Sequence, residues 1–211
     1  MDFKRKLPIP KEIKEQYPIT YELEQKKEKR VVFIGNSITE GWYSAHPDWF
    51  KANNYYGRGI GGQTSYQFLL RFRSDVIDLK PKLVIINAGT NDVAENTGPF
   101  DIEKTFGNIA SMAELAKANN IKVILTSILP ASQFKWNKNI TDAAERIEAL
   151  NKKIKAYAKA NKIPYVDYYT PMVTGAERSL NPAYSNDGVH PTLEGYLVME
   201  KIIKPAIDKT L

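Results

Sequence analysis

VVFIGNSITEGW, residues 31–42, decides how the rest of the chain is read. Four apolar residues run into Gly35, and a hydroxyl appears at Ser37 directly after a Gly-Asn pair. An apolar run without polar alternation fits a strand buried on both faces of a parallel sheet, and Gly-Asn-Ser fits the turn into a helix. Ser37 is then either a turn residue or a nucleophile presented at the carboxyl end of a strand.

Working outward, short β-branched runs recur at 55–56, 83–87, 123–127 and 165–168, which makes five candidate strands. Between them lie segments of helical period. Leu69, Phe72, Val76 and Leu79 share one face, as do Ile102, Phe106, Ile109, Ala113 and Ala116, and again Ala143, Ile147, Leu150, Ile154 and Tyr157. A last helix follows Pro191, with Thr192 as N-cap, Tyr196, Met199, Ile203 and Ala206 inward, and Pro205 expected to kink or end it. Residues 11–29 have weak helical character interrupted by Pro18, so 1–30 reads as an N-terminal helical segment of a single domain spanning 1–211. Strands alternating with helices predict a three-layer α/β/α sandwich on a five-stranded parallel sheet with flavodoxin-like order. Ligands in such sheets sit beyond the carboxyl ends of the strands. Polar, glycine-rich clusters fall there: Gly35-Asn36-Ser37, Arg58 to Gly62, and Gly89-Thr90-Asn91-Asp92.

Composition narrows the function classes. A chain of 211 residues, 43% hydrophobic and 26% charged, is large enough to bury a core and a pocket. Its net charge of +6 is spread along the chain, and the one dense run, Lys26-Lys27-Glu28-Lys29-Arg30, reads as a solvated helix end. No nucleic-acid motif accompanies it, so no nucleic-acid partner is expected. Zero cysteines exclude disulfides, thiolate metal sites and a cysteine nucleophile. No apolar span is long enough for stable membrane insertion. As written the chain reads as cytoplasmic, with a periplasmic or secreted placement open if a leader has been removed.

A serine hydroxyl needs a base to take its proton, and histidine is the usual one. There are two, His46 and His190. His190 closes Asn186-Asp187-Gly188-Val189-His190-Pro191, where Asp187 can reach Nδ1, fix the tautomer and leave Nε2 for Ser37. His46 reads as a surface or pocket-rim residue. A hydrolase also needs donors aimed at the developing oxyanion. The amide of Ser37, the amide of Gly62 and the side-chain amide of Asn91 are the candidates. Each cluster alone is ordinary turn chemistry; their joint occurrence in order is the signal.

These blocks resemble those of the SGNH, or GDSL-like, hydrolases: Gly35-Asn36-Ser37-Ile38-Thr39, Gly59-Ile60-Gly61-Gly62-Gln63-Thr64, Gly89-Thr90-Asn91-Asp92 and Asp187-Gly188-Val189-His190-Pro191. The layout is most similar to platelet-activating-factor acetylhydrolase catalytic subunits and bacterial acetyl esterases. The resemblance implies Ser37 as nucleophile, His190 as base, Asp187 as its orienting carboxylate, and Ser37, Gly62 and Asn91 as the oxyanion hole. It also implies a serine ester hydrolase removing short acyl groups. The family's usual Asp before the serine is Asn36 here, which puts in question the support an acid gives that loop.

Trp42, Tyr43 and Trp49 follow the nucleophile, and Phe134, Lys135 and Trp136 lie after the fourth strand. Either group could rim the site or pack elsewhere. With Trp42 and Trp136 as substrate-binding faces, flat rings favour O-acetylated carbohydrate. Lysophospholipase, thioesterase and platelet-activating-factor-type acetylhydrolase are the alternatives in the same class, and a flavodoxin-like binding protein without catalysis is the alternative outside it. The expected mechanism is acyl transfer through an acyl-serine, which requires no metal and no organic cofactor. Activity is expected to rise as the histidine loses its proton.

Overall fold

The computed structural model describes residues 29–211. The N-terminal helical segment and most of the basic run therefore lie outside the described residues. Five parallel strands, β1 (Val31–Gly35), β2 (Tyr55–Gly59), β3 (Leu83–Ile86), β4 (Lys122–Thr126) and β5 (Tyr165–Val166), form one sheet in the order β2-β1-β3-β4-β5. This is the expected flavodoxin-like order. The register is flush: Val31 pairs with Tyr55 on one side and Leu83 on the other, and Leu83 pairs with Lys122.

Side chains alternate across a strand, so each strand feeds two cores. Val32, Ile34, Val84, Ile86, Val123 and Leu125 face one layer. They pack there against Phe68 and Phe72 of α3 (Ser65–Phe72), Ile109 and Ala113 of α5 (Ile102–Ala118), and Ile147, Leu150 and Ile154 of α6 (Ala143–Ala160). Val31, Phe33, Leu83, Ile85 and Ile124 face the other. Their partners are Ile38 and Trp42 of α1 (Ser37–Ala45), Phe50 of α2 (Pro47–Ala52), and Tyr196, Met199, Ile203 and Ile207 of α8 (Leu193–Thr210). Two helices of four residues, α4 (Thr90–Val93) and α7 (Tyr169–Met172), complete the eight among the described residues.

Three local features depart from the sequence reading. Of the two outcomes expected at Pro205, a kink or an end, the end does not occur, and helix α8 runs on to Thr210. Proline removes the bond to the carbonyl four residues back, here Lys201, and both residues are exposed, so water can take that carbonyl while Ile203 and Ile207 anchor the opposite face. Beyond α3 the chain widens into a π-helical turn, Arg73–Ile77, closed by Asp78 N–H donating to the Arg73 carbonyl. A hairpin of two-residue strands, β6 (Val173–Thr174) and β7 (Ser179–Leu180), is too short to leave a period in the sequence.

Candidate active site

Ser37 opens α1 directly beyond β1. Asn36 is its N-cap: the side-chain oxygen accepts from Ile38 N–H at 2.9 Å, so at this position an amide does the capping that an acid would do. The first four amides of a helix lack intrahelical acceptors, and the helix dipole is positive at that end. Ser37 therefore sits where negative charge is favoured. The neighbouring strand β2 packs hard against this turn. A Cβ on Gly59 would lie 2.1 Å from the Glu40 nitrogen and 2.6 Å from the Asn36 carbonyl oxygen, so only glycine fits.

His190 comes from the far end of the chain. Ser37 Oγ donates to His190 Nε2 at 2.8 Å, and His190 Nδ1 donates to Asp187 Oδ2 at 2.6 Å. The carboxylate at Nδ1 places the proton there and leaves the Nε2 lone pair for the hydroxyl. Asp187 Oδ1 meanwhile accepts from the backbone N–H of Val189 at 2.9 Å and of His190 at 2.7 Å, which folds the loop onto its own carboxylate. Partial burial alone would raise the Asp187 pKa, but these bonds and the imidazole outweigh it and hold the carboxyl down to about 2. Ser185, which no sequence pattern singled out, closes the loop by donating to the His190 carbonyl at 2.8 Å and accepting from Gly188 N–H at 3.0 Å.

Across from Ser37 lies the loop containing Gly62, whose φ of +74° is left-handed and is open to glycine at little cost. Asn91, buried on α4, donates from Nδ2 to the Gln63 carbonyl at 2.9 Å. One amide hydrogen is thereby fixed on the loop and the second is free of that bond. Asp92 accepts from Ser65 N–H at 3.0 Å and Ser65 Oγ at 2.5 Å, which ties the start of α3 to α4. Burial pushes its carboxyl up, against the Ser65 hydrogen bonds that hold it down.

Behind these loops stands Arg71, a second residue without a sequence signal. Its Nη2 donates to the Gly35 carbonyl at 2.8 Å, its Nη1 to the Arg58 carbonyl at 2.9 Å, and its Nε to Gln63 Oε1 at 2.7 Å. Asp75 balances its charge at 2.6 Å. One planar fork thus joins the ends of β1 and β2 to the Gly62 loop.

The two tryptophans separate. Trp136, on a turn in which Asn137 N–H donates to the Phe134 carbonyl at 3.1 Å, is 48% exposed and its ring centroid lies 6.3 Å from that of His190. Trp42 is not at the rim. It is 2% exposed and its two stacking partners, Trp49 at 5.4 Å and Tyr196 at 5.7 Å, leave it within an aromatic core. Its indole N–H donates to buried Glu200 at 3.0 Å, and His46 Nδ1 meets the same oxygen at 2.8 Å. His46 is therefore committed to Glu200, away from Ser37. Trp42→Ala is expected to lower unfolding free energy by about 3–5 kcal/mol in urea titration, the usual cost of emptying a core aromatic site. Rim placement would leave it within about 0.5 kcal/mol.

Residues 33–198 match the GDSL-like Lipase/Acylhydrolase family. A GDSL-like lipase from Bacteroides thetaiotaomicron, known by its crystal structure, is 69% identical with a TM-score of 0.87, over 89% of this chain and 91% of that one. Esterase TesA of Pseudomonas aeruginosa is 28% identical over 165 residues, 76% of this chain and 74% of its own length. An acetylxylan esterase of Xylanibacter ruminicola is 24% identical over 214 residues, covering 84% of this chain and 43% of the relative, so the chain spans under half of that protein.

Proposed function

We propose, from the premise that this chain belongs to the GDSL-like lipase/acylhydrolase family and is a carboxylic ester hydrolase, that it removes acetyl groups from O-acetylated carbohydrate by way of an acyl-serine. The observation that carries the chemistry is the continuous line from Asp187 through His190 to Ser37, with contacts of 2.6 and 2.8 Å. In this reading His190 Nε2 takes the Ser37 proton as Oγ attacks the ester carbonyl. The amides of Ser37 and Gly62 and the second N–H of Asn91 receive the oxyanion. Collapse breaks the bond to the alcohol oxygen, which leaves with the proton from Nε2. Water then gives a proton to the same nitrogen as its oxygen attacks the acyl-serine, and collapse breaks the bond from the acyl carbon to Oγ, which takes the proton back from Nε2 as acetate is released. Every step uses groups of this chain, water and the ester.

The substrate preference rests on two supports. Trp136 presents an exposed ring beside His190, on the side where the departing alcohol must receive its proton, and flat rings stack against sugar faces. The acetylxylan esterase likeness points the same way.

A panel of p-nitrophenyl esters from acetate to palmitate, run beside acetylated xylan and acetylated glucose, tests the reading. Acetate is expected to exceed butyrate in kcat/KM by about 10-fold or more, the discrimination that extra methylenes bring in a small pocket. Acetate release from both acetylated sugars is also expected. A preference for palmitate over acetate, or no acetate released from either acetylated sugar, would overturn it.

A further inference from the structure

The loop that presents the Gly62 amide is held at two consecutive carbonyls by two asparagines of one segment. Asn91 Nδ2 donates to the Gln63 carbonyl at 2.9 Å, and Asn96 Nδ2 donates to the Gly62 carbonyl at 3.1 Å. The asparagines are themselves linked, because Asn96 N–H donates to the Asn91 carbonyl at 3.0 Å. Asn96 is exposed, so water competes for its amide with the one carbonyl it bonds on the loop. Trp136 supplies the second anchor. Its indole Nε1 donates to Asn96 Oδ1 at 2.9 Å, and an indole N–H only donates, so the oxygen must face the indole and the NH₂ must face Gly62. The turn carrying Trp136 is clipped to the same segment, with Asn137 Nδ2 donating to the Ala94 carbonyl at 3.0 Å.

We propose that Trp136 and Asn96 are positioning residues that act in series, the indole N–H orienting Asn96 and Asn96 holding the Gly62 peptide in its left-handed conformation for the oxyanion. The same indole ring faces His190. One side chain therefore touches the alcohol side of the crevice and, through Asn96, braces the oxyanion side. A substrate that stacks on the ring restrains the indole and, with it, the donor loop. This rests on the reading of Gly62 and Asn91 as oxyanion donors.

The test compares Trp136→Phe, Asn96→Ala, Asn96→Asp and the double variant Trp136→Phe/Asn96→Ala, with Asn91→Ala as reference. The readouts are hydrolysis of p-nitrophenyl acetate and inhibition by a boronic acid that forms a tetrahedral adduct with the serine. Trp136→Phe keeps an aromatic face and loses the donor with the pyrrole edge that carries it. Asn96→Asp still accepts from the indole but sets a carboxylate oxygen against the Gly62 carbonyl. Each single change at Trp136 or Asn96 is expected to lower kcat about 10-fold, as small misplacements of reacting groups do, with KM within about 2-fold and boronate affinity falling in parallel. The double variant is expected to be no worse than Asn96→Ala. Asn91→Ala is expected to lose roughly 100- to 1000-fold in kcat. Unchanged kcat in Asn96→Ala beside a crippled Asn91→Ala would overturn the relay and leave the oxyanion reading standing. Multiplying losses in the double variant would overturn the series arrangement. An unimpaired Asn91→Ala would remove the oxyanion reading, and the relay with it.

Discussion

Ser37→Ala is expected to lower kcat on p-nitrophenyl acetate by on the order of 10⁴- to 10⁶-fold and to abolish labelling by a fluorophosphonate, while leaving the fold intact. The size follows from the chemistry. Without Oγ there is no covalent intermediate, and what remains is whatever the oxyanion donors and His190 can do for a bound ester and a water molecule. The fold should not notice, because the cap of α1 is made by the Asn36 side chain and the Ile38 amide, neither of which uses the Ser37 hydroxyl. The serine side chain spends its hydrogen bond on His190 Nε2. Labelling that persists in Ser37→Ala would place the nucleophile elsewhere and end the assignment.

The second large effect is expected from Asp187→Asn, roughly 10⁴-fold in kcat, and it follows from how the two oxygens of Asp187 divide their work. Oδ1 is held by the Val189 and His190 amides, and an asparagine oxygen can keep both bonds. The NH₂ is then forced against His190 Nδ1, where Oδ2 stood. A donor there requires Nδ1 to accept, so the ring proton moves to Nε2, and the imidazole donates toward Ser37 when it should be accepting. The loop survives and the base is lost. Measured kcat within about 10-fold of wild type would show that the carboxylate does not set the tautomer.

Stability gives an independent reading of the same residue. The folded-state pKa of about 2 lies below the ordinary aspartate value of about 3.9, so the ionised carboxylate favours the folded chain above that value. The contribution fades as pH falls from about 3.9 toward 2, and it is absent from Asp187→Asn at every pH. The gap in urea midpoint between wild type and variant should therefore narrow on acidification through that window. A gap that holds constant down to pH 2 would contradict the carboxylate's depressed titration.

Much of the framework was legible because parallel strands buried on both faces leave continuous apolar runs, and residues 31–34, 83–86 and 123–126 show them plainly. The candidates Ser37, Gly62, Asn91 and His190 stand out in the sequence because each lies close to a strand end or a helix start, where backbone geometry limits the residue types. Trp42 lies in the core and not at the rim for a reason the sequence carries. Ile38 and Trp42 are four apart, the spacing of a helix face turned inward, and that periodicity outranks the proximity of Trp42 to Ser37 in sequence. Arg71, Asn96 and Ser185 carry no comparable pattern. The bonds of Arg71 and Asn96 go to carbonyls brought from elsewhere in the chain, Gly35 and Arg58 for Arg71 and Gly62 for Asn96, while Ser185 bonds within its own loop to the His190 carbonyl five residues on, a turn that many residue types can form. The helix does not end at Pro205 because the carbonyl it frees, that of Lys201, lies on a solvated face.

The flush pairing of β1 with both neighbours has a consequence for how active molecules come to exist. Slipping β1 by one position would exchange the side chains facing the two cores, Val32 and Ile34 for Val31 and Phe33, and would carry Ser37 about 3.3 Å along the sheet. His190 is 153 positions away and arrives on a different element, so it would not follow. A misaligned β1 is thus both mispacked and inert, and turnover regained after dilution from denaturant counts the molecules in which that strand has locked home.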